Sequence, residues 1–191
     1  MIIYIHGASA TGESFTHIRD KIKNNDLVIE YSSSKGFKNN LSEMIKLLEP
    51  CESLFFVAHS LGGIYALHLA DVYRDKTMGG VTLSTPYGGC RSADFAKYFL
   101  PFNRLMKDIG TMSKPMENAG KIVAPPNWTN VVTLKGQSPW IVEANDGVVT
   151  IDSMQAKKDI ELVELDLNHY EVVISNRVVD IIQSRMKQAN V

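Results

Sequence analysis

The chain has 191 residues, of which 45% are hydrophobic and 21% are charged, and its formal net charge is −1 at pH 7. A chain of this length fits one domain with a sizeable core, and its composition is typical of a globular protein. The near-neutral charge, without a dense run of Lys and Arg, argues against a nucleic-acid-binding protein.

Residues 1–5 are apolar, but no basic region precedes them and the run is short, so they predict a first strand and not a signal peptide. No run reaches the roughly 18 apolar residues of a membrane-spanning helix. Cys51 and Cys90 lack the spacing of a metal site and fit a reducing compartment, although two cysteines also allow one disulfide. We therefore expect a cytoplasmic protein. Export by a route that needs no signal peptide stays open as an alternative.

Short apolar runs alternate with segments of helical spacing along the whole chain. The runs predict six strands, at residues 2–5, 27–31, 54–57, 80–84, 131–134 and 162–167. Val178, Ile182 and Met186 mark a closing amphipathic helix. This alternation predicts an α/β fold, with a mostly parallel sheet of about six strands covered by helices on both faces. Ligands bind beyond the carboxyl ends of the strands in such sheets.

The third predicted strand runs directly into the sequence AHSLGG at residues 58–63, and a helical segment follows. A strand, a sharp turn with Ser60 at its apex and a helix form the pattern of a nucleophile elbow. The positions two before and two after the serine must be small, and they are Ala58 and Gly62. The alternative interpretation is an ordinary turn between a strand and a helix.

A serine nucleophile needs a histidine base within hydrogen-bond reach. His169 is the best candidate because it follows the last predicted strand. The other histidines are less suitable. His6 is in the first loop, His17 is on the polar side of the first helix, His59 is directed away from the serine by the turn, and His68 is two turns into the following helix.

The base in turn needs an acid to orient it. Asp146 lies in an Asp-Gly turn beyond the fifth strand and is the first choice, with Asp166 as the second and Asp152 and Glu171 as further rivals. The order serine, acid, histidine along the chain is the order expected of an α/β-hydrolase sheet.

A tetrahedral intermediate also requires hydrogen-bond donors for its oxyanion. The backbone N–H of Leu61, directly after the serine, is one predicted donor, and the N–H of Ala8, in the loop after the first strand, is the other. Four side chains are predicted to contact substrate: His6, Tyr87, Phe99 and Trp140.

The interval 90–128 contains no convincing strand, although it holds many large apolar residues and four prolines. A long connection without structure of its own is unusual in a compact domain. We therefore predict a single domain over residues 1–191 in which residues 90–128 form a cap or lid of one or two short helices. The alternative is an ordinary crossover helix followed by a long surface loop.

Five motifs in order resemble the bacterial lipase and esterase branch of the α/β-hydrolase superfamily. They are HG at 6–7, AHSLGG at 58–63, STPYGG at 84–89, NDGVV at 145–149 and NHY at 168–170. The chain is also similar to deacylases and acyltransferases with a Thr-Pro-x-x-Gly loop. The resemblance implies a three-layer fold that lacks the first two strands of the full sheet, with Ser60 as nucleophile, Asp146 as acid and His169 as base.

The resemblance also implies a serine hydrolase that cleaves a small-molecule or lipid-like carboxylic ester through an acyl-enzyme. Hydrolysis of thioesters or amides and acyl transfer use the same residues and stay open as alternatives. A binding protein on a hydrolase scaffold is the alternative from a different class. No metal ion or organic cofactor is expected, and the sequence does not indicate an oligomeric state.

Overall fold

In the computed structural model, which describes residues 1–32, 34–89, 113–138 and 141–191, six strands form one sheet. The strands are β1 (Ile2–Ile5), β2 (Asp26–Ile29), β3 (Leu54–His59), β4 (Thr77–Leu83), β5 (Trp128–Thr133) and β6 (Glu161–Leu165). Their order across the sheet is β2-β1-β3-β4-β5-β6, and every neighbouring pair is parallel. The predicted α/β fold with a parallel sheet is therefore confirmed.

Helices cover both faces of this sheet. The α-helices of the described residues are α1 (Thr16–Ile22), α2 (Phe37–Leu48), α3 (Leu61–Val72), α4 (Lys114–Lys121), α5 (Ile151–Met154) and α6 (Asn176–Gln188). Short 3₁₀ helices lie at Gly12–Phe15, Arg74–Lys76 and Glu171–Ile174. Successive side chains of a strand face opposite sides of a sheet, so each buried strand can supply both layers of the core.

The core accordingly has two main parts, one on each face of the sheet. Ile3 and Ile5 of β1 pack with residues of α2, α3 and α4, whereas Ile2 and Tyr4 of the same strand pack with residues of α1 and α6. Helix α3 is buried on almost every side, which explains why its sequence is apolar throughout and not amphipathic.

The strand boundaries differ from the prediction by a few residues. Strand β1 has the predicted bounds, and β2 begins one residue early and ends two residues early. Strands β4 and β5 each begin three residues before the predicted start. The early start of β5 places Trp128, the last residue of the predicted cap, in the sheet, where its side chain is buried.

The interval predicted to form a cap is described only from residue 113 onward, because residues 90–112 lie outside the described part of the chain. Helix α4 packs against α3 and contributes Met116 and Ala119 to the core. His68 of α3 is 3.0 Å from the carbonyl oxygen of Pro115 and adds a polar contact to this packing. This helix is placed as a crossover helix would be, and the cap itself stays a prediction.

Among the described residues, no helix is long and apolar enough to cross a membrane.

The junction of β3 and α3 is tightly packed. A Cβ atom at Gly62 would overlap the carbonyl oxygen of Ile5 and lie 2.6 Å from the carbonyl oxygen of His6. Both obstructing atoms belong to the backbone of the central strand β1 and of the loop after it, so they cannot move aside cheaply. The glycine is therefore required by the close approach of helix and sheet.

We expect Gly62→Ala to lower the free energy of unfolding by about 3 kcal/mol, because overpacking against a rigid backbone is not relieved by a rotamer change. Thermal or urea unfolding followed by circular dichroism measures this loss. The matched control is Gly120→Ala on α4, where a Cβ atom would meet nothing described within 4 Å. The control should be neutral or stabilise by up to about 1 kcal/mol, and an equal loss in both variants would contradict the packing argument.

Candidate active site

Ser60 occupies the turn between β3 and α3 with a strained backbone. Its φ and ψ angles are 53° and −124°, a conformation that residues with a Cβ atom rarely adopt. Three hydrogen bonds hold it there. Its N–H donates to Leu83 O at 2.8 Å, and its carbonyl oxygen accepts from the N–H of Gly63 at 3.0 Å and from the hydroxyl of Thr85 at 3.1 Å.

The three residues predicted as nucleophile, base and acid lie in one hydrogen-bonded line. The Oγ atom of Ser60 is 3.1 Å from Nε2 of His169, and Nδ1 of the same imidazole is 2.8 Å from Oδ2 of Asp146. Each residue follows the carboxyl end of a different strand, namely β3, β6 and β5. His169 pairs with Asp146 and not with Asp166, the second choice from the sequence.

The partners determine which ring nitrogen of His169 carries the proton. A carboxylate only accepts, so Nδ1 must donate to Asp146. In the neutral ring Nε2 then has a free lone pair, which is directed at the hydroxyl of Ser60. This arrangement allows His169 to take a proton from the serine, which is what a weakly nucleophilic hydroxyl requires.

The carboxylate of Asp146 is 1% exposed and has four donors. Oδ1 accepts from the N–H groups of Val148 at 3.0 Å and Val149 at 2.7 Å. Oδ2 accepts from His169 and from the hydroxyl of Thr133 at 2.5 Å. Burial alone raises the pKa of the carboxyl, but these hydrogen bonds and the charge of the imidazole outweigh burial and hold the pKa below its ordinary value.

Thr133, at the end of β5, was not singled out in the sequence, although it contacts the acid directly. Its side chain is fully buried, and Ser84 Oγ lies 2.8 Å from its hydroxyl oxygen. Because the threonine proton is donated to Asp146, the serine must donate to the threonine. Two hydroxyl groups, of Ser84 and Thr133, thus form a hydrogen-bonded line from the end of β4 to the carboxylate. The line joins residues of two strands, so the side-chain pattern of one strand could not have predicted this contact.

His59 makes a second contact that the sequence did not predict, with the backbone of His169. It does not approach the hydroxyl of Ser60, as expected from the turn, but its Nε2 atom is 2.9 Å from the backbone carbonyl oxygen of His169. The N–H of His169 donates to Asp146 O at 3.1 Å. The main chain at the predicted base is therefore fixed on both sides.

The His59 imidazole is neutral in this environment. Burial, followed by repulsion from His169, lowers its pKa from 6.5 to about 3. Nε2 must donate because its partner is a carbonyl oxygen, and the buried Nδ1 atom has no hydrogen-bond partner among the described residues.

The two predicted oxyanion donors lie on the helix that starts after the serine and on the loop after β1. Leu61 is the first residue of α3, so its N–H has no acceptor within the helix. Ala8 lies in the loop after β1, next to Gly7. A Cβ atom added at Gly7 would lie 3.2 Å from Cβ of Ser60 and 3.1 Å from Nδ1 of His59. The loop therefore passes directly beside the turn.

Two of the four predicted substrate contacts lie within the described residues. Phe99 and Trp140 lie outside the described residues. Tyr87 is 6% exposed, and its hydroxyl is hydrogen-bonded to Thr82 and Trp128, so its contact with substrate stays a prediction. His6 is 1% exposed, and its ring stacks on Tyr31. His6 and Tyr87 both lie beyond the carboxyl ends of strands, but their side chains are buried.

Within residues 1–32, 34–89, 113–138 and 141–191, no group of three or more His, Cys, Asp and Glu side chains is placed to hold a metal ion.

The sequence matches no protein-family model and no curated protein. Solved structures are nevertheless similar. A structure of the metagenome-derived lipolytic enzymes LipS and LipT has a TM-score of 0.71 at 13% identity, over 99% of this chain and 92% of that chain. A structure from work on carboxylesterases of the thaumarchaeon Nitrososphaera gargenis has a TM-score of 0.69 at 12% identity, over 99% and 90%. Tomato methylketone synthase I, in complex with 2-tridecanone, has a TM-score of 0.65 at 13% identity, over 99% and 97%.

We expect Thr133→Val to slow the labelling of Ser60 by a fluorophosphonate about tenfold, because a hydrogen bond to a charged group contributes roughly 1.5–3 kcal/mol. Valine keeps the shape of the side chain and removes only the hydroxyl. Thr133→Ser restores the donor and should recover most of the rate, measured by intact-protein mass spectrometry over time. Equal rates in all three proteins would show that the hydroxyl does not support the acid.

His59 predicts acid-induced destabilisation. The folded imidazole stays neutral to about pH 3, whereas the unfolded chain takes up this proton below 6.5. The unfolded state therefore binds more protons in that window. The free energy of unfolding decreases as the pH is lowered, by up to about 1.4 kcal/mol per pH unit. Urea unfolding of wild type and His59→Gln between pH 7.5 and 4.5 measures the slope. The variant should have a shallower slope, His17→Gln serves as the control, and parallel wild-type and His59→Gln curves would contradict the assignment.

Proposed function

With the α/β-hydrolase fold as its scaffold, we propose that this chain is a serine hydrolase that cleaves carboxylic esters through an acyl-enzyme on Ser60. The observation that carries the proposal is the line from Ser60 through His169 to Asp146, with 3.1 Å and 2.8 Å between the bonded atoms. A strained serine at the start of a helix, a histidine bonded to it and a buried charged acid are the parts that acyl transfer requires.

In the proposed first step, Oγ of Ser60 attacks the ester carbonyl carbon while its proton passes to Nε2 of His169. The imidazole becomes positively charged and is stabilised by the carboxylate of Asp146. The carbonyl oxygen becomes an oxyanion, which the N–H groups of Leu61 and Ala8 stabilise by hydrogen bonds. Collapse of this intermediate breaks the ester C–O bond, and His169 returns its proton to the alcohol that leaves.

In the proposed second step, water hydrolyses the acyl-enzyme. His169 takes a proton from the water, and the resulting oxygen nucleophile attacks the acyl carbon. The same donors stabilise the second oxyanion. His169 then protonates Oγ of Ser60, which releases the carboxylic acid and regenerates the free enzyme.

We infer an apolar acyl or alcohol group on the substrate. The sequence of residues 90–112 is rich in large apolar side chains, among them Phe95, Phe99, Phe102 and Met106. Similar structures come from work on lipolytic enzymes and carboxylesterases, and one holds 2-tridecanone, a ligand with a long apolar chain. Small-molecule or lipid-like esters are the substrate class that these observations support.

We expect Ser60→Ala to lower the hydrolysis of p-nitrophenyl esters by at least about 10³-fold, because removal of a nucleophile abolishes the covalent route. The rate of p-nitrophenol release is measured for acetate, butyrate, octanoate and palmitate esters. The control for folding is Ser34→Ala, which removes an exposed hydroxyl that lies 2.8 Å from the hydroxyl of Ser32. Unchanged turnover in Ser60→Ala would refute the proposal.

Two further measurements separate the alternatives on the same residues. Thioesters and anilides of the same acyl chains test thioester and amide hydrolysis against ester hydrolysis. A fluorophosphonate should label Ser60 in the wild-type protein, and the absence of labelling together with the absence of turnover would favour a binding protein.

A further inference from the structure

Glu30 contacts both ends of the loop that carries Ala8. It directly follows β2, the strand beside β1 in the sheet. Oε1 of its carboxylate accepts the N–H of Gly12 at 2.6 Å, and Oε2 lies 3.1 Å from Nε2 of His6. One side chain from the neighbouring strand end therefore joins the first and last residues of the segment 6–12.

The contact at His6 is part of a rigid arrangement. Nδ1 of the ring donates to Gly7 O at 2.8 Å, since a carbonyl oxygen can only accept. The ring stacks on Tyr31 with centroids 4.3 Å apart and planes 4° from parallel. The hydroxyl of Tyr31 also donates to His6 O at 3.0 Å. The imidazole can thus transmit the position of the Glu30 carboxylate to the Gly7 peptide group.

At the other end of the loop, Gly12 also packs closely against its neighbours. A Cβ atom there would overlap Cγ1 of Val28 and crowd Oε1 of Glu30, so the loop returns directly onto β2. The 3₁₀ helix that follows begins at this residue. The carboxylate therefore fixes the point at which the loop ends.

We propose that Glu30 is a positioning residue that holds the loop 7–11 at both ends, by the hydrogen bond from Gly12 and by the ion-pair contact with the His6 ring, and thereby places the N–H of Ala8 for the oxyanion. This inference rests on the proposed function for its kinetic consequence. Oxyanion donors act only within a narrow distance of the developing charge, so a loop that is free at one end loses part of their effect. Glu30 itself contacts neither Ser60 nor His169 by any hydrogen bond of the described residues.

A role in stability alone does not account for this residue. The Glu30 side chain is 60% exposed, and ion pairs at such positions contribute little to the free energy of unfolding. Loss of the carboxylate should therefore leave the fold intact, which makes activity and loop order measurable in the variant.

The test compares Glu30→Ala, Glu30→Gln and the control Glu43→Ala. Glu43 is 61% exposed and pairs with Lys35 at 2.8 Å, so it matches Glu30 in charge, exposure and pairing. In the glutamine variant, the amide oxygen can accept from Gly12, and the amide nitrogen can donate to Nε2 of a neutral His6. This variant keeps the hydrogen bond from Gly12, offers a donor to the His6 ring and removes the charge.

With p-nitrophenyl butyrate, we expect Glu30→Ala to lower kcat about tenfold with KM changed less than about twofold, because a displaced oxyanion donor weakens the transition state and not substrate binding. Glu30→Gln should stay within about threefold of wild type, and Glu43→Ala should be unchanged. Backbone amides of residues 7–12 should exchange with deuterium faster in Glu30→Ala than in the other proteins.

Unchanged amide exchange in Glu30→Ala would overturn the proposal, as would unchanged kcat in an active enzyme. Equal losses in Glu30→Ala and Glu30→Gln would also overturn it, because the hydrogen bonds would then not be the cause. A wild-type protein without Ser60-dependent hydrolysis would refute the proposed function instead, and the exchange experiment alone would then decide whether Glu30 holds the loop.

Discussion

The buried carboxylate of Asp146 is the constraint on which the rest of the site depends. A charge with almost no exposure is stable only when donors replace the water it has lost. The four donors come from the turn after Asp146, from β5 and from the loop after β6. A charged acid at this place fixes the tautomer of His169 and leaves its second nitrogen available to the serine. The hydrogen bond between His169 and Ser60 thus depends on the donors that the protein supplies to the carboxylate of Asp146.

The second constraint is the closeness of α3 to the sheet. The helix begins immediately after Ser60, and Gly62 has backbone oxygen atoms where a side chain would lie. This closeness holds the serine in a conformation that it would not adopt in a free chain. It also requires β3 to be central and buried on both faces, which the strand order provides. Ala58, the small residue two positions before Ser60, carries only a methyl group, and the buried strand accommodates it.

The sequence was informative wherever one chain segment determines the outcome by itself. Apolar runs predicted the strands, and residues after strand ends predicted Ser60, Asp146 and His169, which the structure brings together. Thr133, His59 and Glu30 were missed because their contacts depend on which strands are neighbours and on side-chain direction across them. His6 and Tyr87 were predicted to contact substrate from their place beside strand ends, but the packing of their rings against neighbouring side chains buries both. The segment 90–112 has no periodic pattern that would fix its structure from sequence.

The spacing of the contacts along the chain has a consequence for how the site is assembled. Asp146 and His169 are 23 residues apart, whereas His169 and Ser60 are 109 residues apart. The first contact closes a short loop, and the second can form only when most of the sheet is in place. A nascent chain that ends before β6 therefore holds the serine without its base. Under the proposed function, chemistry at Ser60 would begin only once the last strand has docked, so a newly made chain would remain inert until it is almost completely folded.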